Sequence, residues 1–213
     1  SVAEPFGDTP LPDPDTSAAL SDAAVLLQGM GHQVEEMPMP IKAKFAEDFS
    51  TYWGLLAYLV AKMGHRVAGP DFDPQKLDSF TKGLAGYYRQ HWLQTPWALR
   101  RLKRSQHDYA QVFNSVDVIL SPVLAHTTPK LGYLAPEQPF EELFDRLHRY
   151  VIFTPWNNAA GGPAMSLPLG ATASGLPIGI HFSVGHGNER SLLELAFEIE
   201  RALPWRRIQD APR

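Results

Sequence analysis

There is no cysteine anywhere in the 213 residues. That excludes disulfides, thiolate zinc sites and cysteine nucleophiles in one step, and it fits a reducing, cytoplasmic setting. Long apolar runs are missing too. No stretch approaches the roughly 18 residues of a membrane helix, so no membrane partner is expected. A basic excess is also lacking: Lys and Arg number 19 against 23 Asp and Glu, a net charge of −4, which argues against nucleic acid as a partner. The start carries no basic region followed by an apolar stretch, hence no secretory signal is expected. It opens on Ser1 instead of Met, a hint that residue 1 is not the native start. What is present is ordinary globular material. Hydrophobic residues make up 44% and charged residues 20%, and a chain of this length forms roughly one or two domains with a substantial core.

Familiar catalytic motifs are absent as well. No G-x-S-x-G elbow exists, since Ser166 and Ser183 lack the flanking glycines. H-E-x-x-H, P-loop and G-x-G-x-x-G patterns are not found. His181 and His186 share a strand end and its loop, but no third ligand stands at metal spacing, so neither metal nor cofactor is expected. Arg100, Arg101, Lys103, Arg104 and His107 read as a solvated helix face.

The periodicity describes layered α/β structure. Asp13 caps a helix with Pro14 at its first position and Gly31 as its left-handed stop; Leu20, Ala24, Leu27 and Met30 recur at helical spacing. His32 to Met37 reads as a brief strand. From Lys42 to Val67, Phe45, Phe49, Tyr52, Leu56, Leu59 and Met63 mark a long amphipathic helix, and the stripe reads as core. Asp73-Pro74 and Thr95-Pro96 start two further helices. Val116 to Ser121 is a β-branched strand closed by Pro122, followed by a loop from Val123 to Pro139. Glu141 to Val151 is a helix, and Pro155 to Pro163 a loop. Ala164 to Leu169 and Ile178 to Val184 are strands joined by a turn at Ser174-Gly175, and Ser191 to Leu203 is the last helix.

The most informative stretch is Phe153-Thr154-Pro155-Trp156-Asn157-Asn158-Ala159-Ala160-Gly161-Gly162-Pro163-Ala164-Met165-Ser166-Leu167-Pro168-Leu169-Gly170, followed by Gly175-Leu176-Pro177-Ile178-Gly179. Its order and spacing resemble the C-terminal block of the amidase signature family, F-T-x-x-x-N-x-x-G-x-P-A-x-S-x-P-x-G and then G-L-P-x-G-x-Q-F. Glu189-Arg190-Ser191-Leu192-Leu193 through Glu200 resembles the family's E-x-x-L-L-x-L-A-x-x-x-E helix. Val116-Asp117-Val118-Ile119-Leu120-Ser121-Pro122 is similar to its D-x-L-L-T-P strand, and the segment from Leu26 to Glu35 to its L-L-x-x-L-G-H-x-V-E unit. Two departures stand out. His181 occupies the place of the usual Gln. Val151 stands where amidotransferase subunits carry an Asp, which favours a free amidase.

The resemblance implies a mixed sheet flanked by helices, the C-terminal part of the amidase α/β/α fold. Residues 1–213 would then form a single incomplete domain. It also implies that the serine nucleophile, relay serine and lysine base belong to an N-terminal half with no counterpart here, so this chain would contribute no catalytic residue. The implied partners are that catalytic half and a small-molecule amide, with a homodimer also open. A non-catalytic binding or assembly subunit on the same half-fold is the alternative. Substrate contact is expected from two loops, with Phe153 and Trp156 apolar, His126 and Thr127 polar, and Asn158 bracing. An interrupted sheet should also leave an edge that another chain or a second copy pairs.

Overall fold

A computed structural model describes residues 12–42 and 44–205; the ends of the expected 1–213 unit, with Asp8 to Leu11 among them, lie outside the described residues. Helix α1 spans Pro14–Gly29. The Asp13 carboxylate accepts the Thr16 N–H at 2.7 Å and the Thr127 N–H at 2.9 Å, so one side chain caps the helix and ties the 123–139 loop to it. Burial raises the Asp13 pKa, but the hydrogen bonds from Thr16 and Thr127 outweigh it and hold the group below its ordinary value. Gly31 is left-handed, as the stop signal requires.

Helix α2 (Phe45–Ala68) forms where expected, and Phe45 at its start is buried, but beyond it the core face differs. Tyr52, Leu56, Leu59 and Met63 are exposed, while Asp48, Thr51, Gly54 and Ala57 are buried. Close helix packing decides this. A Cβ at Gly54 would lie 2.9 Å from the Leu84 carbonyl oxygen, so the small residues bring α2 onto α3 (Ser79–His91) and turn the large ones outward. Asp73-Pro74 starts only a 3₁₀ turn, Pro74–Lys76. Asp78 caps α3 by accepting the Thr81 N–H at 2.8 Å. Helix α4 runs from Thr95 to Val112. Arg101 on its basic face donates two bonds to buried Asp48, at 2.6 and 2.5 Å. That arginine clamps α4 to α2 while its side chain stays partly in water.

Strand β1 (Val118–Pro122), helix α5 (Phe140–Tyr150), strands β2 (Ala164–Ala171) and β3 (Pro177–Val184), and helix α7 (Glu189–Ala202) fall close to their expected positions. The expected loop after Pro155 contains a helix, α6 (Pro155–Ala160), with Pro155 in its first turn and Gly161 as a left-handed C-cap at φ 71°. Residues 32–37 form no strand; a lone β-bridge stands at Pro38. The α/β layering holds, and the three-stranded sheet is antiparallel, ordered β1-β3-β2. β2 and β3 make a hairpin whose turn uses Gly175 at φ 84°. Each outer strand ends or breaks at a proline: Pro122 closes β1, and Pro168 sits in the register shift between Leu167 and Gly170 of β2.

Alternation along β3 assigns its two faces. Ile178, Ile180, Phe182 and Val184 pack with Leu167 against α1 and α7 through Leu20, Leu27, Leu192 and Ile199. Each such buried side chain contributes about 1.5–3 kcal/mol. The opposite face carries Gly179, His181 and Ser183.

Candidate functional site

The polar sheet face is where the chemistry collects. Register places Ser121 of β1 and Ser166 of β2 on either side of His181, and Ile119 and Ala164 on either side of Ser183. Directly opposed residues share a face. Ser121, His181 and Ser183 are buried, and Ser166 is exposed. Above this row lie α4 and α6. Tyr109 is fully buried in a cluster with Phe45, Leu102, Trp156 and Ala160, its ring edge-on to Trp156 at 4.8 Å. Glycine makes the approach possible: a Cβ at Gly162 would sit 2.1 Å from the Tyr109 ring.

A hydrogen-bonded chain links the helices to the sheet. Tyr109 Oη donates to the Val184 carbonyl at 2.7 Å. Asn157 Nδ2 donates to Tyr109 Oη at 3.2 Å and to Ser183 Oγ at 3.0 Å. Ser183 Oγ and Ser121 Oγ each stand 3.4 Å from His181 Nδ1. Burial shifts both ionisable members toward their neutral forms. The His181 imidazole falls to about 4, and the Tyr109 phenol is pushed up to about 12 against the weaker pull of the Ser183 and Asn157 bonds.

Over this row opens a small cleft. Its floor is Ser121, His181 and Ser183; Phe153, Trp156 and Asn157 form one wall, and the Met37–Pro40 segment the other. Its free space is about 20 Å³, enough for one water or one ligand atom. Of the residues expected from sequence, Phe153 and Trp156 line it, both buried. His126, Thr127 and Asn158 do not. His126 stacks on Tyr150 at 4.3 Å and bonds the Thr127 carbonyl through Nδ1, and the Thr127 N–H is taken by Asp13. The two expected loops do meet, through Ala125 packed with Phe153. Asn158 is exposed, and its neighbour Asn157 holds the buried position. Ser121, Asn157, His181 and Ser183 were missed as a site. The available signal was period two in β3, which puts a histidine and a serine on the face away from the Ile-Phe-Val set.

Chemically, the row offers fixed polar groups but no nucleophile. The Ser121–His181 contact is long, and an imidazole depressed to about 4 is a poor base for a hydroxyl at neutral pH. All seven lysines are exposed, and none borders the cleft. Among the described residues no group of three metal-ligating side chains occurs, and no helix is long and apolar enough to cross a membrane.

The arrangement is a layered α/β unit with an apolar sheet face under helices and a polar face opening on a small cleft. The family model for Amidase matches residues 2–193, and the chain belongs to that amidase family. "Putative amidase AmiC" of Mycobacterium leprae is 44% identical over 188 residues, 88% of this chain and 40% of the relative. A glutamyl-tRNA(Gln) amidotransferase subunit of Bdellovibrio bacteriovorus is 30% identical over 225 residues, covering 89% of this chain and 42% of its own length. The solved structure of 6-aminohexanoate cyclic dimer hydrolase complexed with substrate superposes with TM-score 0.82 at 27% identity, over 96% of this chain and 45% of that one. The chain therefore spans less than half the length of these relatives.

Proposed function

We propose that this chain forms one wall of the substrate channel of an amidase that hydrolyses a carboxamide C–N bond through a serine acyl-enzyme. The nucleophilic serine, its relay serine and the lysine base come, in this reading, from another part of a longer polypeptide. The serine oxygen attacks the carbonyl carbon, the C–N bond breaks with ammonia or an amine leaving, and water then hydrolyses the ester. The observation that supports the proposal is the cleft itself: aromatic wall and fixed polar floor are in place, yet among the described residues no lysine and no activated hydroxyl reaches it. Phe153 and Trp156 exclude water and hold the apolar part of the substrate. His126, Thr127 and Asn158 act behind them as loop braces. Val151, uncharged where an amidotransferase subunit holds an amine, supports a free amidase over the tRNA-linked reaction of some relatives.

Ammonia release from simple carboxamides tests this. The full-length protein should turn over and the 213-residue chain alone should not. Turnover by the isolated chain above buffer would overturn the assignment of the catalytic groups.

A further inference from the structure

We infer that the face built from α2, α3 and the start of α4 is an interfacial surface that docks on an anionic lipid bilayer. The inference is independent of the amidase reading: it rests on where the charge and the exposed apolar side chains lie.

Charge is segregated along the chain. Residues 49–70 and 79–107 hold eight of the 19 Lys and Arg and none of the 23 Asp and Glu. The chain is acidic overall, so these two runs make a cationic face on an anionic protein. They also hold ten of the seventeen large apolar side chains that stand exposed among the described residues. On α2 these are Tyr52, Leu56, Leu59, Val60, Met63 and Val67, a stripe along one side of the helix. The others sit at the corner between α3 and α4: Trp92 and Leu93 in a 3₁₀ turn (Trp92–Gln94), Trp97 and Leu99 at the start of α4. That corner lies against α2, since the 3₁₀ turn packs on it and the Arg89 guanidinium stands 5.7 Å over the Tyr58 ring. Trp92 and Trp97 are 57% and 61% exposed, and neither indole N–H has a partner among the described residues.

This chemistry selects the occupant. Lipid phosphates accept from Lys and Arg, indole rings settle at headgroup depth, and Leu, Val and Met reach the acyl boundary. Arg100 and Lys103, one turn apart on α4, are exposed and in no ion pair among the described residues, so both are free for phosphate. A nucleic acid would use the cations but leave the aliphatic stripe idle. A second copy would set eight cations against eight more, with no acid to answer them. No helix of the described residues is long and apolar enough to cross a membrane, so the contact is shallow and α2 lies along the surface. The expectation of no membrane partner excluded spanning helices. An interfacial face escapes it, because its apolar residues recur at helical spacing instead of in one run.

The test floats the full-length protein with vesicles of equal parts phosphatidylcholine and phosphatidylglycerol, with pure phosphatidylcholine as the uncharged control. The protein should float with the mixed vesicles, far less with the neutral ones, and less again at high salt. Trp92→Ser with Trp97→Ser, and separately Arg100→Glu with Lys103→Glu, should each weaken partitioning about tenfold. All four side chains are exposed, so the fold survives their replacement. Lys130→Glu with Arg201→Glu makes the same change in net charge outside these two runs and should leave partitioning as it was. Lipids brominated in the acyl chain should quench part of the wild-type tryptophan fluorescence, and that part should vanish in the double tryptophan variant. Absence of flotation would overturn the inference and leave the face to another part of the polypeptide or to an acidic protein. Unchanged partitioning in either double variant, equal binding to neutral vesicles, or equal weakening by the Lys130 and Arg201 pair would each overturn it as well. Flotation needs no turnover, so failure to release ammonia would count against the amidase reading alone.

Discussion

Replacing Tyr109 by Phe removes one oxygen from a fully buried side chain and keeps its ring. The ring's contacts with Trp156 at 4.8 Å and Phe113 at 4.9 Å survive, so no cavity larger than a hydroxyl opens. What is lost is the bond to the Val184 carbonyl at 2.7 Å and the acceptor for one Asn157 N–H at 3.2 Å. Both orphaned groups lie in a water-poor interior, so the expected loss is about 1–3 kcal/mol. For a chain of this size that lowers Tm by roughly 2–4 °C per kcal/mol. Urea titration followed by tryptophan fluorescence measures it, Trp156 being the nearest reporter. An alkaline arm tests the same environment independently. The phenol titrates near its ordinary 10.0 when unfolded and at about 12 when folded. The neutral form is therefore favoured by folding. Its contribution is complete below pH 10 and is lost as the pH rises toward 12. The difference in stability between wild type and Tyr109→Phe should shrink across that window, with Tyr87 and Tyr150 cancelling because both proteins contain them. A loss under about 0.5 kcal/mol, together with a difference that stays flat from pH 9 to 12, would refute the buried-network argument.

The other predictions concern packing and the acid limb. Gly162→Ala should cost about 1–3 kcal/mol by driving a methyl into the pinned Tyr109 ring, whereas Gly86→Ala in α3, with nothing within 4 Å of its Cβ, should stabilise by up to about 1 kcal/mol; equal melting shifts would contradict the close approach at Gly162. On α2, Leu56→Gln should change stability by less than about 0.5 kcal/mol, while Leu84→Ala on α3 should cost about 2–5 kcal/mol, and urea midpoints that reverse this order would show the helix faces misassigned. His181 titrates at 6.5 in the unfolded chain and at about 4 in the folded one, so its contribution is complete above pH 6.5 and is lost as pH falls toward 4. His181→Gln should flatten that acid limb, and an unchanged limb would mean the ring is not kept neutral by burial.

Most of the fold was legible because its signals are local. Asp13-Pro14 starts α1, Gly31 stops it, and the β-branched run before Pro122 makes β1. The failures lie where a distant partner decides. Six large apolar residues at helical spacing announce a buried stripe on α2; Phe45 is buried, but from Tyr52 onward Gly54 against the Leu84 backbone selects the small-residue side. Asp73-Pro74 offers the same cap-and-proline pair as Asp13-Pro14, yet Asp78 five residues on captures the helix start. The short helix α6 was announced by Pro155 and Gly161, whose signals were read as those of a loop. For the site, the motif contains Phe153 and Trp156, which border the cleft. Asn157 and Asn158 are chemically identical in sequence, and only the turn of α6 shows which one points inward.

The polar row also explains why residues that never border the cleft bear on it. The Asn157 amide could place either its oxygen or its nitrogen toward Ser183. Tyr109 removes that freedom: its hydrogen is committed to Val184, so it can only accept from Asn157. Asn157 must then present Nδ2 to Ser183, at 3.0 Å, so the serine at the centre of the polar row accepts from the amide. One backbone carbonyl at the end of β3 thus sets, through Tyr109, which atom the Asn157 amide turns toward Ser183 on the same strand. The dry face of β3 holds Val184 in place through α1 and α7, so the core on one side of the sheet fixes the direction of a donor on the other.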